Sequence, residues 1–192
     1  SDGIFLQDLS LKNSKPFSLD FQNRKIENNS KNLLQRCFSK FNLNYKVYDL
    51  TAGFCLDAFL ISNLGFKVNA FEKESWLFEF TREKLLKNKI DSIKLKNRNS
   101  LEVINDINSK SMIYLDPMFG IENKSFAKKE IHYLRKSLFN QSDELIESSL
   151  ESKAELIVIK KHKIEKKKTF RTPSYELKGK VITFQIFDRR KD

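Results

Sequence analysis

Apolar and polar positions along this chain fall into blocks whose period switches between two and about 3.6. Residues 47–50 form a short apolar run that reads as a buried strand, followed by the small turn Thr51-Ala52-Gly53. A helix over 57–64 comes next, stopped by Gly65. Residues 66–71 make a second strand ending at Glu72. Trp76, Leu77, Phe80, Leu85 and Leu86 lie on the apolar side of a helix over 75–88. A third strand over 92–95, a short helix over 101–107 and a fourth strand over 112–115 follow. Helices are predicted over 125–138 and 141–150, then a fifth strand over 156–159. Residues 174–177 and 181–187 flank Lys178-Gly179-Lys180 and close the chain as a hairpin.

Strands separated by helices predict an α/β fold with an open, largely parallel sheet covered on both faces. The closing antiparallel hairpin makes that sheet mixed and brings it to seven strands. Upstream, Asn28-Asn29-Ser30 reads as a helix start, with Leu33, Leu34, Cys37, Phe38 and Phe41 at helical spacing behind it. Residues 3–6 and 17–21 read as short strands of a hairpin or flap. The expected division is therefore an N-terminal flap and helix over 1–44, packed on a main domain over 45–192. There are no internal repeats, and the single tryptophan, Trp76, is expected to pack in the core.

Composition narrows the function classes. The 192 residues and 40% hydrophobic content suit one sizeable core. Cys37 and Cys55 have no metal-ligand spacing and no disulfide framework, so no metal and a reducing, cytoplasmic setting are expected. No stretch is apolar enough to span a membrane, and no signal peptide is visible. The opening Ser1-Asp2-Gly3, without methionine, fits a trimmed or processed chain. The pattern fixes no oligomeric state; a monomer is the expectation. The formal net charge is +11, and residues 153–192 hold 13 basic against 5 acidic residues. Such a face favours a polyanion, although lysine-rich usage from an AT-rich genome looks the same.

Candidate chemistry gathers at the ends of the predicted strands. In Asp49-Leu50-Thr51-Ala52-Gly53-Phe54-Cys55-Leu56-Asp57 a buried strand runs into a small turn and then a helix. Gly53 lets a ligand approach the backbone. The turn lacks Gly-x-Gly-x-x-Gly, which argues against a dinucleotide. Glu72, roughly 20 residues on, stands where an acidic side chain accepts bonds from ribose hydroxyls. Together they describe an adenosine ligand without diphosphate, a description that S-adenosylmethionine meets. Asp49 and Asp57 would hold its ammonium or order water, although Asp57 also suits a helix cap. Asn99 and Ser100, after the third strand, would face adenine or simply cap the next helix.

Asp116-Pro117-Met118-Phe119 ends the fourth strand on the same rim. An Asp-Pro-x-aromatic turn can set a carboxylate, a backbone carbonyl and a flat ring around a planar amine. After the fifth strand, the run from Lys160 to Arg171 holds seven basic residues and one acidic residue. Read as a loop on that rim, Lys160, Lys161, Lys163 and Arg171 would grip phosphates, with Lys124 and Lys128 extending the patch.

In these residues the chain resembles the bacterial 16S rRNA (guanine(1516)-N2) methyltransferase family of class I S-adenosylmethionine-dependent methyltransferases. The resemblance runs from about Asp20 to Phe187. It is carried by Asp49-x-Thr51-Ala52-Gly53, Asp57-Ala58-Phe59, Glu72, Tyr114-Leu115-Asp116-Pro117-Met118-Phe119, Lys128-Lys129-Glu130 and Val158-Ile159-Lys160-Lys161. It implies a Rossmann-like fold, with 45–192 as the methyltransferase domain. It also implies methyl transfer to a guanine N2 amine, and 16S rRNA or the small ribosomal subunit as partner. The implied cofactor positions are Leu56, Asp57, Glu72, Lys73, Asn99, Ser100 and Asp116. Asp116 and Pro117 would orient the amine, Phe119 would stack on the base and Met118 would wall the pocket. The chain departs from the family in having Leu56 in place of an arginine and no glycine over 24–30. An adenine or other amino-methylating enzyme, and a non-catalytic RNA-binding protein of the same fold, stay open on the residues alone.

Overall fold

The computed structural model describes residues 5–7, 15–16, 18–19, 21, 33–117, 142–162 and 171–190. Its centre is a seven-stranded sheet. In chain order come α1 (Leu33–Phe38), β1 (Lys46–Asp49), α2 (Leu56–Ser62), β2 (Val68–Glu72), α3 (Ser75–Lys87) and β3 (Ile93–Asn97). Two 3-10 turns (Ser100–Glu102 and Ile104–Asp106) lead into β4 (Ser111–Leu115). The helix α4 (Ser142–Glu151) precedes β5 (Leu156–His162), and β6 (Tyr175–Lys178) and β7 (Ile182–Asp188) end the chain. The strand order is β3-β2-β1-β4-β5-β7-β6. The pairs among β1 to β5 are parallel, and β7 is antiparallel to both β5 and β6. This is the mixed α/β sheet expected of a class I methyltransferase fold.

Strand alternation sorts the core into two faces. Val47, Met112, Tyr114, Leu156 and Val158 pack with residues of α1, α2 and α3, such as Phe38, Ile61 and Phe80. Ile113, Leu115, Ile157 and Ile159 point the other way, onto Val103, Ile104 and the α4 residues Ile146 and Leu150. All five residues of β4 are buried, as a central parallel strand covered on both sides requires. From β1 the chain winds outward to β2 and β3, then returns to β4 on the opposite side of β1. That reversal opens a crevice beyond the carboxyl ends of β1 and β4.

Several boundaries differ from the sequence pattern. The segment over 101–107 winds as two 3-10 turns rather than one helix. β5 runs on to His162 because β7 pairs with it beyond Ile159, through Lys160↔Phe184, Lys161↔Thr183 and His162↔Ile182. On α3, Leu77, Phe80 and Leu85 are buried, but Trp76 is 46% exposed and Leu86 62%. Trp76 is thus a surface residue, because the buried stripe follows residues 77, 80, 81, 84 and 85. Leu6 forms an isolated β-bridge, whereas Ser18, Leu19 and Phe21 are not in a strand. Leu19 and Phe21 are nonetheless buried in the core. The helix expected over 125–138 and the helix start at 28–30 lie outside the described residues.

Candidate active site

The turn after β1 is fastened on both sides. Leu50 N–H donates to the Tyr114 carbonyl of β4 at 3.2 Å, and Ala52 N–H to the Phe71 carbonyl of β2 at 3.1 Å. Glu72, at the end of β2, reaches the same turn. Its Oε2 accepts from Gly53 N–H at 3.0 Å and its Oε1 from Glu74 N–H at 2.8 Å. Thr81 of α3 donates its hydroxyl to the Gly53 carbonyl at 3.2 Å. Gly53 has φ of 49°, a left-handed conformation that suits glycine. A Cβ built there would meet no atom within 4 Å, so this face of the turn is open. Cys55, buried ahead of α2, also has a left-handed φ of 55°.

A second group of side chains meets at the ends of β1, β4 and β5. Parallel register sets Leu115 beside Ile159, so Asp116 and Lys160 follow as neighbours. Alternation turns Lys160 to the same face as Leu156 and Val158, the face covered by α2. Lys160 Nζ donates to Asp116 Oδ2 at 2.8 Å and to Asp57 Oδ2, in the first turn of α2, at 2.7 Å. Tyr114, fully buried in β4, donates its hydroxyl to Asp57 Oδ2 at 2.5 Å. The Asp116 N–H donates to Thr51 Oγ1 at 2.7 Å. Asp49 Oδ1 accepts from Thr51 N–H at 3.0 Å, with the Thr51 hydroxyl 3.5 Å away. Thr51 therefore ties the turn after β1 to the turn after β4.

Electrostatics follow from burial. Asp49 is 1% exposed, and its carboxyl is pushed up to about 8, chiefly by loss of water. Thr51 N–H and Lys160 favour its charge, whereas Asp57 and Asp116 oppose it. Burial also raises Asp116; Lys160 pulls it down and Asp57 pushes it up. Lys160 is held above the ordinary lysine value. Burial works against its charge, but Asp116 and Asp57 outweigh that loss. Glu72 is raised by burial, against the N–H groups of Glu74 and Gly53.

The structure thus brings Asp49, Gly53, Asp57, Glu72, Asp116 and Pro117 to one rim. Lys73 lies in the short connection after β2 on that rim. Leu56 opens α2 and packs against the core. Asn99 accepts from Leu101 N–H at 3.2 Å as the cap of the first 3-10 turn. Ser100, buried, donates to the Leu50 carbonyl at 2.6 Å and so braces β1. Lys160 does not lie in a loop but in β5, bound to two carboxylates. Arg171 is elsewhere. It donates to the Leu150 carbonyl at 3.0 Å and pairs with Glu151 at 3.4 Å, beside the end of α4 that leads into β5. That is the opposite end of β5 from Lys160. Lys161 is in β5. Met118, Phe119, Lys124, Lys128 and Lys163 lie outside the described residues.

Sequence reasoning gave no site role to Thr51, Tyr114, Thr81 or Asn97, although Thr51 and Tyr114 stand in the motifs that carry the resemblance. Asn97 Nδ2 donates to the carbonyls of Glu72 at 2.8 Å and Lys73 at 3.1 Å, which shapes the connection after β2. For Lys160 a signal existed, because Leu156, Val158 and Lys160 continue a period of two.

A family model described as "Putative SAM-dependent methyltransferase" matches residues 2–189. The chain belongs to that family. S-adenosylmethionine is therefore the cofactor expected of its members. It is 28% identical over 156 residues to "Ribosomal RNA small subunit methyltransferase J" of Neisseria meningitidis serogroup B. That match covers 73% of this chain and 62% of the relative. The protein of the same name from Desulfotalea psychrophila is 29% identical over 154 residues, covering 73% of this chain and 59% of the relative. The match thus spans about three-fifths of the length of these curated relatives. The fold matches a solved SAM-dependent methyltransferase from Neisseria gonorrhoeae with a TM-score of 0.58 and 21% identity. That match covers 84% of this chain and 72% of the other.

The rim described above fits such a cofactor. The open face at Gly53 leaves room for a ligand against the backbone. A carboxylate has about four acceptor sites; on Glu72 the Gly53 and Glu74 N–H groups take one on each oxygen, and the Lys73 N–H also bonds to it. The remaining acceptor capacity suits a ribose hydroxyl. The acidic groups Asp49, Asp57 and Asp116 suit a cationic tail.

Proposed function

We propose that this chain transfers a methyl group from S-adenosylmethionine to the exocyclic N2 amine of a guanine in 16S rRNA of the small ribosomal subunit. The observation that carries the reading is Asp116 at the switch point between β1 and β4. Its backbone is fixed by Thr51 and its Oδ2 by Lys160. The names of the relatives support the rRNA substrate, as does the net charge of +11.

When bound, S-adenosylmethionine supplies an electrophilic methyl group on a sulfonium. Glu72 would hold its ribose, and Gly53 would admit it to the backbone. Asp49 and Asp57 would face its ammonium. Lys73 and the Leu56 backbone would border it, and Asn99 and Ser100 would shape the adenine side. Asp116 Oδ1 and the Pro117 carbonyl would accept from the guanine amine. Its lone pair is delocalised into the ring, so alignment and stabilisation of developing positive charge are the main tasks. The surplus proton passes to water. Phe119 is assigned to stack on the base and Met118 to wall it. The target must be unpaired or flipped from its helix. Lys161, Lys124, Lys128, Lys163 and Arg171 are assigned to phosphates, with Arg171 at a distance from the chemistry.

The test is incubation with labelled S-adenosylmethionine and small subunits that lack the modification, followed by digestion to nucleosides. Label in N2-methylguanosine supports the reading. Label in N6-methyladenosine would favour an adenine enzyme, and no label at all would favour a non-catalytic RNA-binding protein.

A further inference from the structure

Lys160 stands between two carboxylates that reach it from different elements. Asp57 comes from the first turn of α2 and Asp116 from the end of β4, at 2.7 and 2.8 Å. Its side chain is only 23% exposed. The Tyr114 hydroxyl of β4 donates to the same Oδ2 of Asp57. Asp49 of β1, buried on the same face, adds a third acidic group. Two carboxylates held this close in poorly hydrated surroundings resist ionising together, and one keeps a proton. A protonated Asp116 would turn from acceptor toward donor and lose its use for an amine. An ammonium between the two removes that conflict. It also fixes Oδ2, which sets the direction of Oδ1.

The geometry points to Lys160 as a positioning residue for the methyl transfer, one that keeps Asp116 ionised and aims Oδ1 at the substrate amine. This rests on the function proposed above and gives Lys160 a part in it other than phosphate binding. Lys160 need not touch the substrate. Burial and Asp57 both push Asp116 toward its protonated form, and Lys160 is the group that opposes them. The transfer rate then depends on the ionised fraction of Asp116, and removing the ammonium moves the acidic limb of the rate profile to higher pH.

The test compares wild type, Lys160→Met and Lys160→Arg in single-turnover transfer to unmodified small subunits between pH 5 and 9. In Lys160→Met the acidic limb should rise by about one pH unit or more, with a loss approaching tenfold at pH values below the wild-type limb. Lys160→Arg should return the limb toward wild type. A uniform rate loss with the limb unmoved overturns the proposal. If Lys160→Met does not fold, the comparison is made in an Asp57→Asn background, which lightens the acidic load. The limb of the double variant should still lie above that of Asp57→Asn alone; equal limbs overturn the proposal. Carboxyl-carbon NMR of Asp116 in the cofactor-free protein gives a readout without substrate. Its titration should move up when Lys160 is neutralised, and an unmoved titration overturns the proposal. A wild type that methylates no guanine would sink the proposed function, while this titration would still decide whether Lys160 governs Asp116.

Discussion

Asp49→Asn should flatten the pH dependence of folding stability. Asp49 is buried on β1, and its carboxyl is pushed up to about 8 in the folded chain. In the unfolded chain it returns to about 3.9. Between those values the folded state keeps a proton that the unfolded state has given up. Stability from this group is therefore full below about pH 4 and is lost as pH rises toward 8. The slope is about 1.4 kcal/mol per pH unit, or roughly 3 kcal/mol between pH 5 and 7. Asparagine has nearly the same shape and can still accept from Thr51 N–H, but it has no proton to lose.

The assay is urea unfolding of both proteins at pH 5, 6, 7 and 8. Other titrating groups are common to the two chains, so the difference between the stability curves isolates Asp49. Asp57, Asp116 and Lys160 face it, but a protonated Asp49 puts no charge on them, so its replacement disturbs them little below pH 8. The variant should gain on wild type with each step in pH. Parallel curves would refute the reasoning, since they would mean that Asp49 ionises as freely in the folded chain as in the unfolded one.

Cofactor binding near pH 7 should release a proton as the ammonium draws Asp49 into its charged form; calorimetry in buffers of different ionisation enthalpy should show this release, and Asp49→Asn should abolish it. Glu72→Gln puts an amide where backbone N–H groups and the ribose need acceptors, so cofactor affinity should fall by about 1.5–3 kcal/mol in a binding titration. Gly53→Ala meets no neighbour within 4 Å but must hold a φ of 49°. It should cost about 1–2 kcal/mol of stability in urea unfolding and weaken cofactor binding by filling the open face. Affinity for rRNA should fall steeply as salt rises, with a linear slope on logarithmic axes in a filter-binding series.

Much of the rim was legible in the sequence because each strand ends at a residue that breaks the apolar pattern. Asp49 is an acid inside an apolar run, Gly53 a small residue after it, and Glu72 and Asp116 are acids at strand ends. Alternating strands and helices then place them on one rim. Lys160 carried a signal in the period of two through Leu156 and Val158, but two things masked its role. A cluster of lysines reads as a solvated loop, and the pairing with β7 that extends β5 through His162 joins residues distant in the chain. Arg171 shared that run but bonds to Leu150 and Glu151 at the end of α4, near the opposite end of β5, so proximity in sequence misled. Trp76 was misplaced because apolar residues at helical spacing overstate the width of the buried stripe. Thr51 and Tyr114 stood in the matched motifs, but nothing marked their roles, since a threonine in a turn and a tyrosine in a strand are ordinary. Their partners appear only when β1, β4 and α2 are brought together.

The central claim is that Asp116 orients the amine that accepts the methyl group. The most direct test is single-turnover methyl transfer to unmodified small subunits by wild type and Asp116→Ala, at saturating S-adenosylmethionine, with cofactor affinity measured in parallel. Transfer should fall by a factor of about 100–1,000 or more while most of the cofactor affinity remains. Turnover equal to that of wild type would contradict the account.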